Sequence, residues 1–153
     1  MLALEEIAAA DAILAEVRDV RHSHCRLCGS ENSKGLQLKF RMDESGDVVA
    51  DFACEADYMG YPGIVHGGVI AAMIDSAMSN CLFARRMNGV TAEYTIRYHQ
   101  PLRLHQSAVV RARVDKEGRR LYLLSGDVMQ GGKIVAAAHA KFMILDDPNI
   151  DRE

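Results

Sequence analysis

The spacing of apolar positions divides the chain into two helices and a set of strands. Over residues 3–20, Ile7, Ala10, Leu14 and Val17 recur at helical spacing, while Glu5, Asp11, Glu16 and Asp19 fall mostly elsewhere. That is an amphipathic helix laid on a larger body. Leu36, Leu38, Phe40 and Met42 then alternate with Gln37, Lys39 and Arg41, the period of a half-buried strand. A turn at 44–47 and a second strand over 48–55 complete a hairpin. A loop follows at 56–65, with Gly60, Pro62 and Gly63. Residues 67–86 read as a helix that is apolar nearly all round; its polar exceptions are Asp75, Ser76, Ser79 and Asn80. Such a helix is expected to be buried on every face. Arg85 and Arg86 suit its C-terminus. Alternation returns at 90–99, with Val90, Ala92, Tyr94, Ile96 and Tyr98 on one face and Thr91, Glu93, Thr95, Arg97 and His99 on the other. Strands at 108–116, 119–129 and 133–145 are joined by short turns containing glycine. Strands segregated from one central helix predict an α+β domain. Its antiparallel β-sheet wraps around one long central helix, and an extra helix lies at the N-terminus.

Composition narrows the class. Hydrophobic residues are 49% and charged residues 25% of 153, enough for a real core and against disorder. The length suits one domain at 35–147, preceded by a 1–34 extension of helix and Cys/His loop. A net charge of −3 supplies no general positive field, so nucleic acid and membrane are not expected partners. The longest apolar run, residues 69–74, is far short of a membrane span of ~20 residues. The N-terminus lacks a positive start and carries Glu5, Glu6 and Asp11, so it reads as a helix of the mature chain. Four unevenly spaced cysteines do not make a disulfide framework. A cytoplasmic location is the expectation.

The densest chemistry runs from Gly60 through His66-Gly67-Gly68 to Asp75. Glycines at a helix start leave backbone N–H groups unshielded, at the positive end of the helix dipole. Such donors suit an oxyanion or a polarised carbonyl. The plainer alternative is a tight turn with His66 as a capping residue. Asp75 falls mid-helix on a buried segment, where an ionised carboxylate is costly unless paired or functional. Burial raises a carboxyl pKa, as a general base requires. The plainer alternative is a bond to Ser79 or to a neighbouring strand. Asp75 follows His66 by nine positions, roughly 13 Å along the helix axis and on its opposite side. One carbonyl cannot touch both within a single chain. A two-fold axis would join the Gly67 end of one helix to Asp75 of another and create two equal sites.

These residues together resemble the hot-dog-fold acyl-CoA thioesterases, in the PaaI-type (phenylacetate-pathway) branch. The likeness spans roughly residues 35–145. It is carried by the Gly60–Gly68 run, Asp75 and the Gly89–Ile96 strand, with a further echo in Cys25-Arg26-Leu27-Cys28-Gly29 and Gly35–Leu38. The resemblance implies hydrolysis of an acyl-CoA by a homodimer, often paired into a tetramer, with no cofactor. The Gly67 or Gly68 amide would polarise the thioester carbonyl, and His66 would orient the loop. Asp75 of the partner subunit would be nucleophile or general base, with Thr91 holding the water. Val65, Gly60, Ser79, Val90 and Arg97 are the expected substrate contacts. Gly60 stands where some relatives carry an Asn or Gln. A non-catalytic acyl-CoA-binding or sensing protein on the same fold is the alternative. A hot-dog dehydratase would pair an Asp and a His at one carbon, which this helix does not offer. The acyl group is left open.

A second constellation is His22-Ser23-His24-Cys25-Arg26-Leu27-Cys28-Gly29. Its C-x-x-C knuckle is half of many zinc sites. Four ligands within seven residues would crowd one ion, so the expectation is a tight turn with reduced thiols and no metal. Arg85, Arg86, Arg97 and Arg103 are candidate partners for the phosphates of coenzyme A, or simply solvated surface charges.

Overall fold

The computed structural model describes residues 2–146; residue 147, the expected end of the main domain, lies outside them. Helix α1 (Leu4–Arg21) is followed by strands β1 (Arg41–Met42) and β2 (Val48–Ala53). Helix α2 (Gly67–Phe83) comes next. Strands β3 (Gly89–Tyr98), β4 (Ser107–Glu117), β5 (Leu121–Gln130) and β6 (Lys133–Ile144) complete the chain. All six strands form one antiparallel sheet in the order β1-β2-β4-β5-β6-β3. The expected α+β arrangement, a sheet around one central helix with a further helix at the N-terminus, is what the chain adopts.

The core lies between α2 and the concave face of the sheet. Ile70, Met73, Ile74, Ala77, Met78 and Cys81 meet Val110, Ala112, Leu124, Val128 and Phe142, all buried. Close approach of helix and sheet depends on Gly126 in β5. A Cβ there would lie 2.8 Å from Ile74 Cγ2 and 2.7 Å from the Arg111 carbonyl oxygen. Helix α1 buries Leu14 and Val17. The Asp11 carboxylate accepts from the Met42 amide at 2.8 Å, and Arg86 pairs with Glu16 at 3.2 Å.

Two elements depart from the expected boundaries. Only Arg41 and Met42 of the expected 36–42 strand pair with β2. The amides of Leu36 and Leu38 donate instead to the carbonyls of Arg26 and Leu27, at 3.0 and 2.9 Å. Gln37, with φ 51°, breaks the extended run. Leu38 and Phe40 are nonetheless buried, so the alternation reported burial and not sheet pairing. Helix α2 stops at Phe83, three residues early, with Arg86 in the left-handed region at φ 55°. Arg85 donates to the Cys81 carbonyl at 3.1 Å and pairs with Glu117 at 3.0 Å. Arg85 and Arg86 therefore both take part in ion pairs within the chain.

Candidate functional site

The loop before α2 is a miniature hairpin. Met59 bridges Val65 and Ile64 bridges Arg103. The Gly60 amide donates to the Ile64 carbonyl at 3.0 Å, and Gly63 turns the chain at φ +84°. A Cβ at Gly60 would lie 3.0 Å from His66 Cα, so this position admits glycine because the two loop strands touch. The amides of Val65 and His66 are anchored to the carbonyls of Leu102 and Tyr58, at 2.9 and 2.8 Å. Met59, Gly60, Tyr61, Ile64, Val65, His66 and Gly67 border a cleft of about 510 Å³. Val65, an expected substrate contact, borders this cleft while being almost wholly buried in the core.

His66 caps the helix. Its backbone is extended (φ −59°, ψ 133°), and Nδ1 accepts from the Gly68 amide at 2.9 Å. The Gly68 N–H is therefore not the bare donor expected from the sequence; the ring beside it provides an acceptor. The Val69 and Ile70 amides donate to the His66 carbonyl, at 3.0 and 3.3 Å. Among the described residues, nothing accepts from the Gly67 amide. One donor at the positive helix end thus stays open. Tyr98 donates its hydroxyl to the Gly67 carbonyl at 2.7 Å and pins the same turn from the sheet.

Helix α2 is not buried on every face. Gly68 is exposed, and Ala72, Asp75 and Ser79 are half-buried, at spacings of 4, 3 and 4 residues. They form one stripe left open by the chain's own sheet. Thr91 donates its hydroxyl to Asp75 Oδ1. Ser79 donates to the Asp75 backbone carbonyl at 3.3 Å and not to the carboxylate, so of the two arms of the plainer alternative it is the bond to a neighbouring strand, through Thr91 of β3, that the structure contains. Burial pushes the Asp75 carboxyl above its ordinary value. The Thr91 bond opposes this, and the negative charge of Cys25 adds to it.

The Thr91 contact depends on a bulge. Thr91 pairs with Phe142 and Glu93 with Lys141, so Ala92 is unpaired. Regular alternation would set Thr91 on the face opposite Tyr94. The extra residue shifts the register, and both side chains reach α2: Thr91 at Asp75, Tyr94 at the Ala71 carbonyl at 2.9 Å. Sequence alternation missed this, as it missed the two tyrosine anchors; an unbroken apolar–polar pattern carries no sign of a bulge. Val90 and Arg97 sit next to Thr91 and Tyr98 and so point to the other face of the sheet. Both are exposed there, and the structure does not bring them to the helix stripe of their own chain.

His66 is a non-helical cap folded back over Gly68, so the expected half-turn between it and Asp75 does not apply. The axial separation does. Gly67 and Asp75 are eight helical residues apart, roughly 12 Å.

In the Cys/His loop the chain gathers three of the four candidate ligands. The donor atoms of His22, Cys25 and Cys28 all lie within 4.8 Å of one another. His24 is exposed and pairs with Glu31 at 3.2 Å instead. A hydrogen bond from Cys28 holds Cys25 well below the usual thiol range, while the same bond and burial push Cys28 up.

Residues 62–137 match the Thioesterase superfamily. The chain is 33% identical over 97 residues to acyl-coenzyme A thioesterase THEM4 of Bos taurus, covering 62% of this chain but only 40% of that protein. It is 29% identical over 103 residues to human acyl-coenzyme A thioesterase 13, covering 64% of this chain and 74% of the relative. A mutant of the phenylacetic acid degradation protein PaaI from Thermus thermophilus superposes with TM-score 0.65 and 27% identity, over 72% of this chain and 95% of that one. The described residues include no helix long and apolar enough to cross a membrane. Fold, matched segment and relatives agree: the chain belongs to the thioesterase superfamily and has its hot-dog fold.

Proposed function

We propose that the protein hydrolyses an acyl-CoA thioester at a site shared between two copies of the chain. The observation that carries this reading is the pairing on one helix of an open Gly67 amide with a half-buried Asp75. The first suits the carbonyl oxygen as it becomes an oxyanion. The second, oriented by Thr91, suits a general base that takes a proton from water or a nucleophile that attacks the acyl carbon. His66 keeps the helix start in shape through its bond to the Gly68 amide. Water adds to the acyl carbon, the C–S bond breaks, and coenzyme A leaves as the thiol.

Separation along the helix supports the shared site. A thioester carbonyl held at Gly67 is roughly 12 Å from Asp75 of the same chain, too far for one attacking water. Strand β3 is the outer strand at one end of the sheet and lies beside the Asp75 stripe. Its free edge is a ready surface for a second copy, and Val90 and Tyr98 on it are about half exposed. A two-fold axis there would carry Asp75 of the partner subunit to the cleft beside Gly67.

Thiol release from short, medium, long and aryl acyl-CoAs tests the reading. Asp75→Asn should keep acyl-CoA binding and lose about 10²–10⁴-fold in rate. Tight binding of one acyl-CoA with no hydrolysis of any would replace the enzyme with a sensor. Full activity in Asp75→Asn would remove the carboxylate from the mechanism.

A further inference from the structure

The 22–38 loop carries chemistry that thioester hydrolysis does not use. Three donors of the kind that bind borderline and soft metal ions converge there: His22 Nδ1 and the Sγ atoms of Cys25 and Cys28. His22 Nδ1 lies 3.9 Å from Cys28 Sγ. Around a tetrahedral zinc, with Zn–S about 2.3 Å and Zn–N about 2.0 Å, the N-to-S edge is roughly 3.5 Å. A movement of a few tenths of an ångström would close that edge.

The backbone is already wound as a ligand knuckle. Gly29 donates to the Cys25 carbonyl at 3.0 Å, and Leu27 donates its N–H to Cys25 Sγ at 3.4 Å. A Cβ at Gly29 would come within 2.4 Å of the Cys25 nitrogen, so the tight turn requires glycine. Both sulfur atoms accept hydrogen bonds, as thiolate ligands do. The second donor is Asn80 of α2, whose Nδ2 points at Cys28 Sγ at 3.7 Å. Asn80 is wholly buried, and among the described residues its Oδ1 has no hydrogen-bond partner. An unpartnered buried acceptor on the residue that donates to Cys28 is the kind of group that an ordered water or ion satisfies. His22 is held from the other side by edge-on packing against Phe83, with ring centroids 4.7 Å apart.

We propose that His22, Cys25 and Cys28 bind one zinc ion, with solvent in the fourth position. The ion ties the 22–38 loop to helix α2 through Asn80 and Phe83. The crowding objection that applies to four ligands in seven residues disappears, because His24 faces outward to Glu31. Binding takes place at the reduced sulfur atoms, and the thiol proton still present is displaced to solvent. No electron is transferred.

The full chain, purified reduced and without chelator, should carry about one zinc per chain by elemental analysis. Cys25→Ser, Cys28→Ser and His22→Gln should each lower that occupancy severalfold, and His24→Gln should leave it unchanged. Cobalt(II) added to metal-free wild-type protein should give a thiolate-to-metal charge-transfer band and the visible bands of a tetrahedral ion. This second measurement does not depend on any variant folding. Chelation should also lower the melting temperature of the wild-type protein. The proposal is overturned by zinc well below stoichiometric with no charge-transfer band. It is equally overturned by metal binding that survives loss of both cysteines, or by a Cys25–Cys28 disulfide that binds no metal once reduced.

Discussion

The two faces of helix α2 are made of the same chain and obey different rules. One face carries Ile70, Met73, Ile74, Ala77 and Met78, all buried against the sheet. The other carries Gly68, Ala72, Asp75 and Ser79, which its own chain leaves open. On the first face every atom is worth its packing. On the second, small residues keep the surface low, and one carboxylate sits where burial raises its pKa. Such a group costs stability unless it is paired or used, and under the proposed function it is the base or the nucleophile. The contrast teaches that a helix apolar by composition need not be covered on every face by its own chain.

The sharpest break of this contrast is on the packed face. Ile74→Ala should cost about 2–5 kcal/mol in unfolding free energy, because the cavity opens beneath Gly126 where the backbone is already in contact. Denaturant melting measures the loss, and thiol release per folded molecule should stay near the wild-type value. Next comes the helix start, where stability and rate should part the other way. Gly67→Pro deletes the one open amide at a position where proline fits, since His66 before it is already extended. Rate should fall about 10²–10³-fold with the fold intact. Gly67→Ala keeps the N–H, and its Cβ would meet Tyr98 only at an ordinary 3.5 Å, so it should remain active. Mixing Gly67→Pro with Asp75→Asn subunits should restore about a quarter of the wild-type rate, since half of randomly paired dimers hold one intact site. No recovery on mixing would place both groups in one chain.

The smallest effect is expected at Thr91. Its hydroxyl bond lowers the Asp75 pKa against the burial that raises it. Removing that bond in Thr91→Val leaves burial unopposed, so the pKa rises further. The base must be ionised to act, so the acid limb of the kcat/KM profile should move to higher pH. An unmoved acid limb would show that Asp75 does not set it.

Much of this was legible before any coordinates. The largely apolar helical pattern at 67–86, the His66-Gly67-Gly68 start and the alternating strands after residue 89 predict a central helix, a site at its beginning and a sheet around it. Periodicity reads these well because burial is a local property of each side chain. The stretch at 36–40 shows the limit of that reasoning. Leu38 and Phe40 are buried as expected, but the backbone amides of Leu36 and Leu38 donate to the Cys/His loop, and no side-chain pattern records a bonding partner. The bulge at Ala92 shows it again. Alternation put Thr91 and Tyr94 on opposite faces; pairing with β6 shifted the register and brought both to α2.

By itself, then, the sequence determined the two helices and most of the strands, which residue types gather before and along α2, and that His66 and Asp75 stand nine positions apart. Tertiary structure decided which amide is free and which the His66 ring engages. It also decided which hydroxyl meets the carboxylate, and which three of four crowded ligands converge. Those outcomes depend on hydrogen bonds and side-chain directions between segments distant in sequence, and such pairings form only when the sheet closes around the helix.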